Sequence, residues 1–231
     1  MDAPLDEESR LIAEKIDEIA ENPTTSTINL IGHSKCGTMF FNMPKYFQNE
    51  ESFRKSNIYT SAAPFQGCLI ASPRFFLGQV EQAINDSLPK PLNKLVFKAL
   101  KKYYTTVHSD SHMDNDISKI GTKAERYDPG FIAGMFDMQN IEAIKRVNFY
   151  HNFSTGIDDK SLLKALRRRD YLGIGLCLMD KFFMRETTDG FIEVKSQESV
   201  EQYVDVRSTR ISSATHYYLG HDDEFKVILD M

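Results

Sequence analysis

Apolar residues recur at two different spacings in the first part of the chain. Between residues 6 and 21 they return every three or four positions, which predicts a helix that Asn22-Pro23 ends. The next apolar run, residues 27 to 31, is short and β-prone and predicts a buried strand. The same patterns predict a helix over 38–47 that Pro44 bends or shortens, and strands over 57–62, 147–153 and 190–194.

Strands that alternate with helices predict an α/β fold with a mainly parallel sheet. The whole chain, residues 1–231, is expected to form one domain. A long stretch at about residues 75–140 interrupts this alternation and carries amphipathic helical patterns. It is expected to be a helical insert that covers the domain as a lid or cap.

Composition excludes several classes of protein. The chain has 231 residues, 41% hydrophobic and 26% charged, which is an ordinary balance for a soluble domain. A net charge of −5 argues against a nucleic-acid partner. No run approaches the ~20 apolar residues of a membrane span, and the acidic N-terminus lacks the apolar core of a signal peptide. Three cysteines without metal-like spacing indicate free thiols, so we expect a cytoplasmic protein.

A candidate nucleophile follows the first predicted strand, in the stretch "INLIGHSKCG". The nucleophile elbow G-x-S-x-G places a serine on a sharp turn between a strand and a helix, and small residues must flank it. Gly32 and Ser34 fit this pattern. Cys36 occupies the second glycine position, and Gly37 follows one residue later. We expect Cys36 to be buried against a neighbouring element and not to act as a nucleophile.

This stretch resembles the elbow of the α/β-hydrolase lipases, which reads G-H-S-x-G-G, and "YTSAAPFQG" resembles the strand and turn that follow it there. The resemblance implies a three-layer α/β-hydrolase sheet with a helical lid. In that family the acid and the base follow the serine in that order. "ETTDGFIEVKSQES" resembles the lipase segment N-D-G-x-V-x-x-x-S, whose Asp is the triad acid, and assigns that role to Asp189. "LGHDDEF" resembles the segment H-L-D-E and makes His221 the base.

Other residues compete for these roles. Asp158 and Asp159 follow the third predicted strand, where some hydrolases carry the acid. His216 lies five residues before His221 and is an alternative base. His33, next to the serine, is expected to position the loop rather than to act as a base.

No cofactor is expected, and calcium is the one metal that the resemblance suggests. Asp223 lies two residues after His221, where some lipases have a calcium ligand, but no partner ligands are apparent. A second oxygen-rich group lies in the insert but lacks the glycine and the closing glutamate of a calcium-binding loop. We expect a solvated loop at this second group, whose residues are His108, Asp110, His112, Asp114 and Asp116.

The oxyanion of an acyl-transfer reaction needs two backbone donors. One is the N–H of Lys35, after the serine; in the family the other comes from a loop after an earlier strand. Residues 1–26 contain a predicted helix and no such strand. We therefore expect a hydrolase fold that is truncated at its N-terminus. Its first strand would lie at an edge, which favours dimerisation along that strand.

Two functions follow. The first is a serine carboxyl-ester hydrolase that resembles a lipase, acts in lipid metabolism on a small-molecule or lipid ester, and proceeds through an acyl-enzyme on Ser34. The second is a truncated, non-catalytic member of the fold with a binding role or none. The order of serine, acid and histidine favours the first function, and the short N-terminal region favours the second.

Overall fold

The computed structural model describes residues 5–67, 85, 94, 136–157, 159–168, 177, 180, 187–189 and 192–211. The first described element is helix α1 (Leu5–Glu21), and strand β1 (Ile28–His33) and helix α2 (Lys35–Asn42) follow it. A 3-10 turn, Met43–Tyr46, extends α2. The other described elements are α3 (Glu50–Lys55), β2 (Ser56–Ser61), α4 (Met138–Ile144), β3 (Asn148–Ser154), α5 (Asp159–Arg168), α6 (Val194–Glu198), a 3-10 turn (Ser199–Gln202) and β4 (Arg207–Ile211).

The four described strands form one sheet in the order β1-β2-β3-β4, and every neighbouring pair is parallel. Parallel neighbours need crossover connections, so each strand ends at the same edge of the sheet. Along one row of the register, Gly32 lies beside Thr60, and Thr60 lies beside His151. The expected parallel α/β arrangement is therefore confirmed, and its carboxyl edge collects the loops that follow each strand.

One face of this sheet packs against helices and forms the core. Phe41 of α2 lies at the centre and is completely buried. Its ring meets three other buried rings at centroid distances of 5.2 to 5.5 Å, those of Phe65, Phe136 and Phe149. Aromatic pairs at such distances and tilts add to the stabilisation that comes from burial alone. The core thus joins α2 to β3 and to residues just after β2.

Helix α1 matches the predicted helix to within one residue at its start and lies against α2, α3 and the 3-10 turn after α2. Its carboxylates attach it to that segment. Asp17 accepts hydrogen bonds from the Gln48 backbone N–H at 2.9 Å and from the Ser52 hydroxyl. Asp6 accepts from the Asn42 amide at 2.7 Å and from the Tyr46 hydroxyl at 3.0 Å. These bonds fix α1 to the segment that runs from the end of α2 into α3.

The other face of the sheet carries polar and aromatic side chains. Three asparagines on neighbouring strands form a row. The Asn57 amide donates to the Asn29 side-chain oxygen, and the Asn148 amide donates to the Asn57 side-chain oxygen, each at 2.8 Å. In the next row Tyr59 stacks on Tyr150 with ring centroids 4.7 Å apart. β1 lies at the end of the described sheet, and Ile31 on this face is 43% exposed. Dimerisation through this edge stays a prediction.

Two predicted elements differ from the structure. The strand expected over 190–194 is wrong for its described residues, 192–194, because α6 already begins at Val194 and Glu193 forms only an isolated antiparallel bridge with Thr188. The fourth strand is instead Arg207–Ile211, whose described side chains are exposed and polar, so it lacks the apolar signal of a buried strand. The predicted helix over 38–47 begins earlier, at Lys35, and becomes a 3-10 turn at Met43, next to Pro44.

The predicted insert lies almost entirely outside the described residues, so its role as a lid or cap stays a prediction. That the whole chain forms a single domain likewise stays a prediction.

Replacing Phe41 with alanine tests the centre of the core. We expect Phe41→Ala to lower the free energy of unfolding by about 3–5 kcal/mol, because the lost ring leaves a cavity among three other rings. Urea unfolding followed by circular dichroism measures the change. Leu11→Ala is the control, since Leu11 is 49% exposed, and it should cost much less. Equal losses in the two variants would contradict the assigned core.

Candidate active site

Ser34 occupies a strained backbone position between β1 and α2. Its φ is 56° and its ψ is −127°, a combination that L residues rarely adopt. The Ser34 N–H donates to the Ser61 carbonyl at 2.9 Å, and the Ser34 carbonyl accepts from the Gly37 N–H at 2.9 Å. Both ends of the residue are thus fixed by backbone hydrogen bonds, one to β2 and one within the first turn of α2.

The Ser34 hydroxyl does not perform the usual structural task of a serine before a helix. A serine at the N-cap normally accepts a hydrogen bond from the second or third helical N–H. Ser34 stands at this position of α2, yet its side chain makes no capping bond. A strained serine between a strand and a helix, without a capping bond, is consistent with the backbone pattern of a nucleophile elbow, and Ser34 stays the candidate nucleophile.

Two glycines make the sharp turn sterically possible. A Cβ on Gly32 would lie 2.8 Å from the Cys36 carbonyl oxygen and 2.7 Å from the Phe40 ring. A Cβ on Gly37 would lie 2.7 Å from the Cβ of Ala63. Both distances are too short for real contacts, so α2 can return this closely over β1 and β2 only with glycine at both positions.

The exposure of Cys36 contradicts one expectation from the sequence. This residue was expected to be buried in place of the second elbow glycine, but it is exposed. The buried residues of α2 begin at Gly37 and Thr38, and Cys36 precedes them at the start of the helix. The small residue that packs against the segment after β2 is therefore Gly37, one position later than the pattern G-x-S-x-G places it.

The first turn of α2 lies directly after the serine. Lys35 is its first residue, so its backbone N–H has no acceptor within the helix. This group, together with the positive end of the helix, is suited to bind a negative charge that develops beside Ser34. The Lys35 side chain is engaged elsewhere, in an ion pair with Glu8 of α1 at 2.9 Å.

The loop after β2 lies at the same edge of the sheet and contacts the segment that contains Asp189. Ala62 turns the chain out of β2 with a φ of 49°. Farther along, the Gln66 N–H donates to the Ser196 hydroxyl at 2.9 Å, and this hydroxyl donates to the Gly67 carbonyl at 2.7 Å. The lipase-like segments "YTSAAPFQG" and "ETTDGFIEVKSQES" are thus in contact.

Asp189 lies at the turn of a short hairpin and is completely buried. The hairpin is closed by the Asp189 N–H, which donates to the Ile192 carbonyl at 3.1 Å, and by the Val194 N–H, which donates to the Thr187 carbonyl at 2.9 Å. One carboxylate oxygen, Oδ1, accepts from the Ile192 N–H at 2.8 Å. The other, Oδ2, accepts from the Gln197 amide at 3.0 Å. A buried carboxylate held by fixed donors is typical of an acid that orients a catalytic histidine.

The Asp189 hairpin is attached to the end of β3. The Ile157 N–H donates to the Thr188 carbonyl at 2.9 Å, three residues after the strand ends. At Gly156, where φ is 106°, a Cβ would lie 2.1 Å from the Thr187 methyl group. Glycine is therefore required for the hairpin to approach β3 this closely.

Ser34 and Asp189 consequently lie along one edge of the sheet. Ser34 directly follows β1, and the Asp189 hairpin is bonded to Ile157, which follows β3, the second strand along from β1. His221, His216 and Asp223 lie outside the described residues, as do Asp158 and the side chain of Asp159, so their roles stay predictions. His33 is half-buried at the end of β1.

Two titratable residues near the site were not predicted from the sequence. Asp180 accepts a hydrogen bond from the Thr188 hydroxyl, and burial, with a smaller contribution from the nearby Asp189 charge, raises its pKa. His151 of β3 is completely buried; its Nδ1 lies 2.8 Å from the Thr60 hydroxyl and its Nε2 lies 3.1 Å from the Gln197 carbonyl. Because a carbonyl can only accept, Nε2 carries the proton and Nδ1 accepts from Thr60.

Within the described part of the chain, no group of three or more histidine, cysteine or acidic residues is arranged to hold a metal ion. The helices described there also include none that is both long and apolar enough to cross a membrane.

Comparison with known proteins supports the fold. No family model matches the sequence, and no curated protein matches it. Among solved structures, the chain is similar to the Bacillus licheniformis lipase BlEst2 in its mature form, with a TM-score of 0.59 and 12% sequence identity. The alignment covers 99% of this chain and 74% of the lipase chain. Similarity at this level of identity shows that the two chains share an α/β-hydrolase-like fold.

A double substitution tests the steric role of Gly37. Alanine in a helix is normally about 0.5–1 kcal/mol more favourable than glycine. Gly37→Ala should nevertheless destabilise the protein by about 1–2 kcal/mol, because the new Cβ would overlap that of Ala63. Ala63→Gly removes the methyl group that the new Cβ would overlap. Gly37→Ala should therefore cost at most half as much in the Ala63→Gly background as it costs in the wild type.

Chemical denaturation of the four proteins gives this coupling free energy. Gly32→Ala serves as the contrast, because its Cβ would meet backbone atoms of Cys36 that no substitution removes. Additive effects of Gly37→Ala and Ala63→Gly would contradict the assigned contact.

The burial of His151 predicts that the folded protein loses stability as the pH falls. Burial lowers the pKa of His151 from an ordinary value of 6.5 to about 4, so in this range the unfolded chain binds the proton more tightly. The contribution of neutral His151 to stability is complete above pH 6.5 and is lost as the pH falls toward 4. The loss at pH 4 is about 3 kcal/mol.

Urea unfolding of the wild type and of His151→Gln between pH 7 and pH 4 isolates this effect, because other titrating groups are common to both. The wild type should lose about 3 kcal/mol more than the variant over this range. Parallel pH profiles would contradict the buried, neutral imidazole.

Proposed function

We propose that this protein is a serine carboxyl-ester hydrolase that forms an acyl-enzyme on Ser34. The observation that supports this most directly is the backbone of Ser34, with its φ of 56° and ψ of −127° between a strand and a helix. Strain of this kind costs on the order of 1–3 kcal/mol and persists where surrounding packing enforces it, frequently at functional sites. The hydrolase-like fold and the lipase neighbour are consistent with this proposal.

In the proposed reaction, the Ser34 hydroxyl attacks the ester carbonyl carbon while His221 takes its proton. Asp189 holds the imidazole of His221 in the tautomer that accepts this proton and stabilises the imidazolium that forms. The Lys35 N–H stabilises the oxyanion of the tetrahedral intermediate. His221 then gives the proton to the leaving alcohol, and water releases the acid by the reverse sequence. No cofactor is needed for any of these steps.

The substrate class proposed is a small-molecule or lipid ester. The fold of the neighbouring lipase supports an ester of this kind, and the amphipathic pattern of the insert supports a cover over an apolar substrate. The calcium-binding and lipid-metabolism hypotheses rest on the sequence resemblance alone.

A fluorophosphonate probe tests the nucleophile. The wild-type chain should be labelled at Ser34, and Ser34→Ala should abolish labelling and lower hydrolysis of a short p-nitrophenyl ester by a factor on the order of 10⁴–10⁶. Ser26→Ala is the matched control, because Ser26 lies exposed just before β1, and it should behave as the wild type.

Labelling that persists in Ser34→Ala, or a folded wild-type chain that neither reacts with the probe nor hydrolyses esters, would contradict the proposal. The second of these results would favour a non-catalytic role for the fold.

A further inference from the structure

The amide of Gln197 is buried directly behind the carboxylate of Asp189. Its Nε2 donates to Asp189 Oδ2 at 3.0 Å and to the Ile192 carbonyl at 3.2 Å, while its Oε1 accepts from the Ser154 N–H at 3.4 Å. Both Gln197 and Asp189 are completely inaccessible to solvent. One side chain thus joins the Asp189 hairpin to the last residue of β3.

This contact complements the one that the hairpin makes by itself. The Ile192 N–H binds Oδ1 of Asp189 as part of the local turn, so any Asp-Gly turn could provide it. The Gln197 amide binds the opposite oxygen, and it is not part of the turn. Donors on both oxygens restrict the rotation of the carboxylate plane.

Gln197 is itself held in place through its backbone. Its carbonyl accepts from Nε2 of His151, and Nδ1 of His151 accepts from the Thr60 hydroxyl. A continuous path of hydrogen bonds therefore leads from β2 through β3 to Asp189. Burial keeps the imidazole neutral, so at neutral pH this path carries no second charge.

We propose that Gln197 is a positioning residue for the reaction, which orients the Asp189 carboxylate toward His221 while the Thr60–His151 pair fixes the backbone of Gln197. This inference rests on the proposed function. A triad acid stabilises the imidazolium only in the correct orientation, so the effect of Gln197 should appear in the chemical step rather than in substrate binding.

Two substitutions remove the donor in different ways. Gln197→Met keeps the approximate volume and removes every hydrogen bond of the amide. Gln197→Leu also removes them, with a shorter, branched apolar side chain that holds no proton to donate. Ser199→Ala is the matched control, because Ser199 is also buried just after α6 and its hydroxyl donates to the Ser196 carbonyl rather than to Asp189.

Ester hydrolysis is measured against pH, and kcat is expressed per site titrated with fluorophosphonate, so that unfolded protein does not contribute. Both Gln197 variants should lower kcat by about 10- to 100-fold with little change in KM. The acidic limb of the kcat/KM profile should move to lower pH, because a histidine with a misaligned carboxylate loses part of the interaction that raises its pKa. Ser199→Ala should leave the limb in place.

The inference is overturned if the Gln197 variants match the wild type, or if they lose activity with an unshifted acidic limb. It is also overturned if both fail to fold while Ser199→Ala folds, which would make the role of Gln197 structural. If one variant fails to fold, the other decides. The proposed function has its own test and fails if Ser34→Ala retains activity. If Ser34→Ala is inactive and Gln197→Met has normal activity, only the inference about Gln197 is rejected.

Discussion

The structure depends on the close return of α2 over the ends of β1 and β2. This return forces Ser34 into a backbone conformation that is unfavourable for any residue with a side chain. It is possible because Gly32 and Gly37 leave no Cβ in the way, and because the Ser34 N–H is bonded to the adjacent strand. The strain is offset by the packing of α2, whose Phe41 occupies the centre of the aromatic core. Core and candidate site are therefore two consequences of the same close contact.

The parallel sheet brings the remaining parts together. Because all four described strands run in one direction, segments far apart in the chain meet at the carboxyl edge. The loop after β2 is bonded to Ser196, and the Asp189 hairpin is bonded to residues just after β3. Behind them, Gln197, His151 and Thr60 form a buried polar path in which each donor has an acceptor. A buried set of hydrogen bonds stabilises the fold only when every member has its partner. These bonds therefore favour the one position of the hairpin in which all of them form.

Local sequence patterns were sufficient for the parts of the fold that are decided locally. The spacing of apolar residues predicts α1 and the first three strands, and the elbow motif predicts the position of Ser34. Features that depend on tertiary neighbours were not predictable. Gly37, and not Cys36, is the small residue that packs against Ala63, and this depends on which side of α2 faces Ala63. β4 carries exposed polar side chains at the end of the described sheet. The apolar residues Ile192 and Val194 suggest a strand, but their backbone N–H groups close the hairpin at Asp189 instead. The pairing of His151 with Gln197 has no sequence signal, since the partners lie 46 positions apart.

The most direct test of the account is to trap the acyl group. The purified chain is mixed with excess p-nitrophenyl ester, and the product released in the first turnover is measured together with the intact mass and the peptide map of the quenched protein. The account predicts a burst of about one equivalent of p-nitrophenol per active chain and an acyl group on Ser34, as expected for an acyl-enzyme. A turnover without a burst or an adduct, or an acyl group located on Lys35 or Cys36 with Ser34 unmodified, would contradict it.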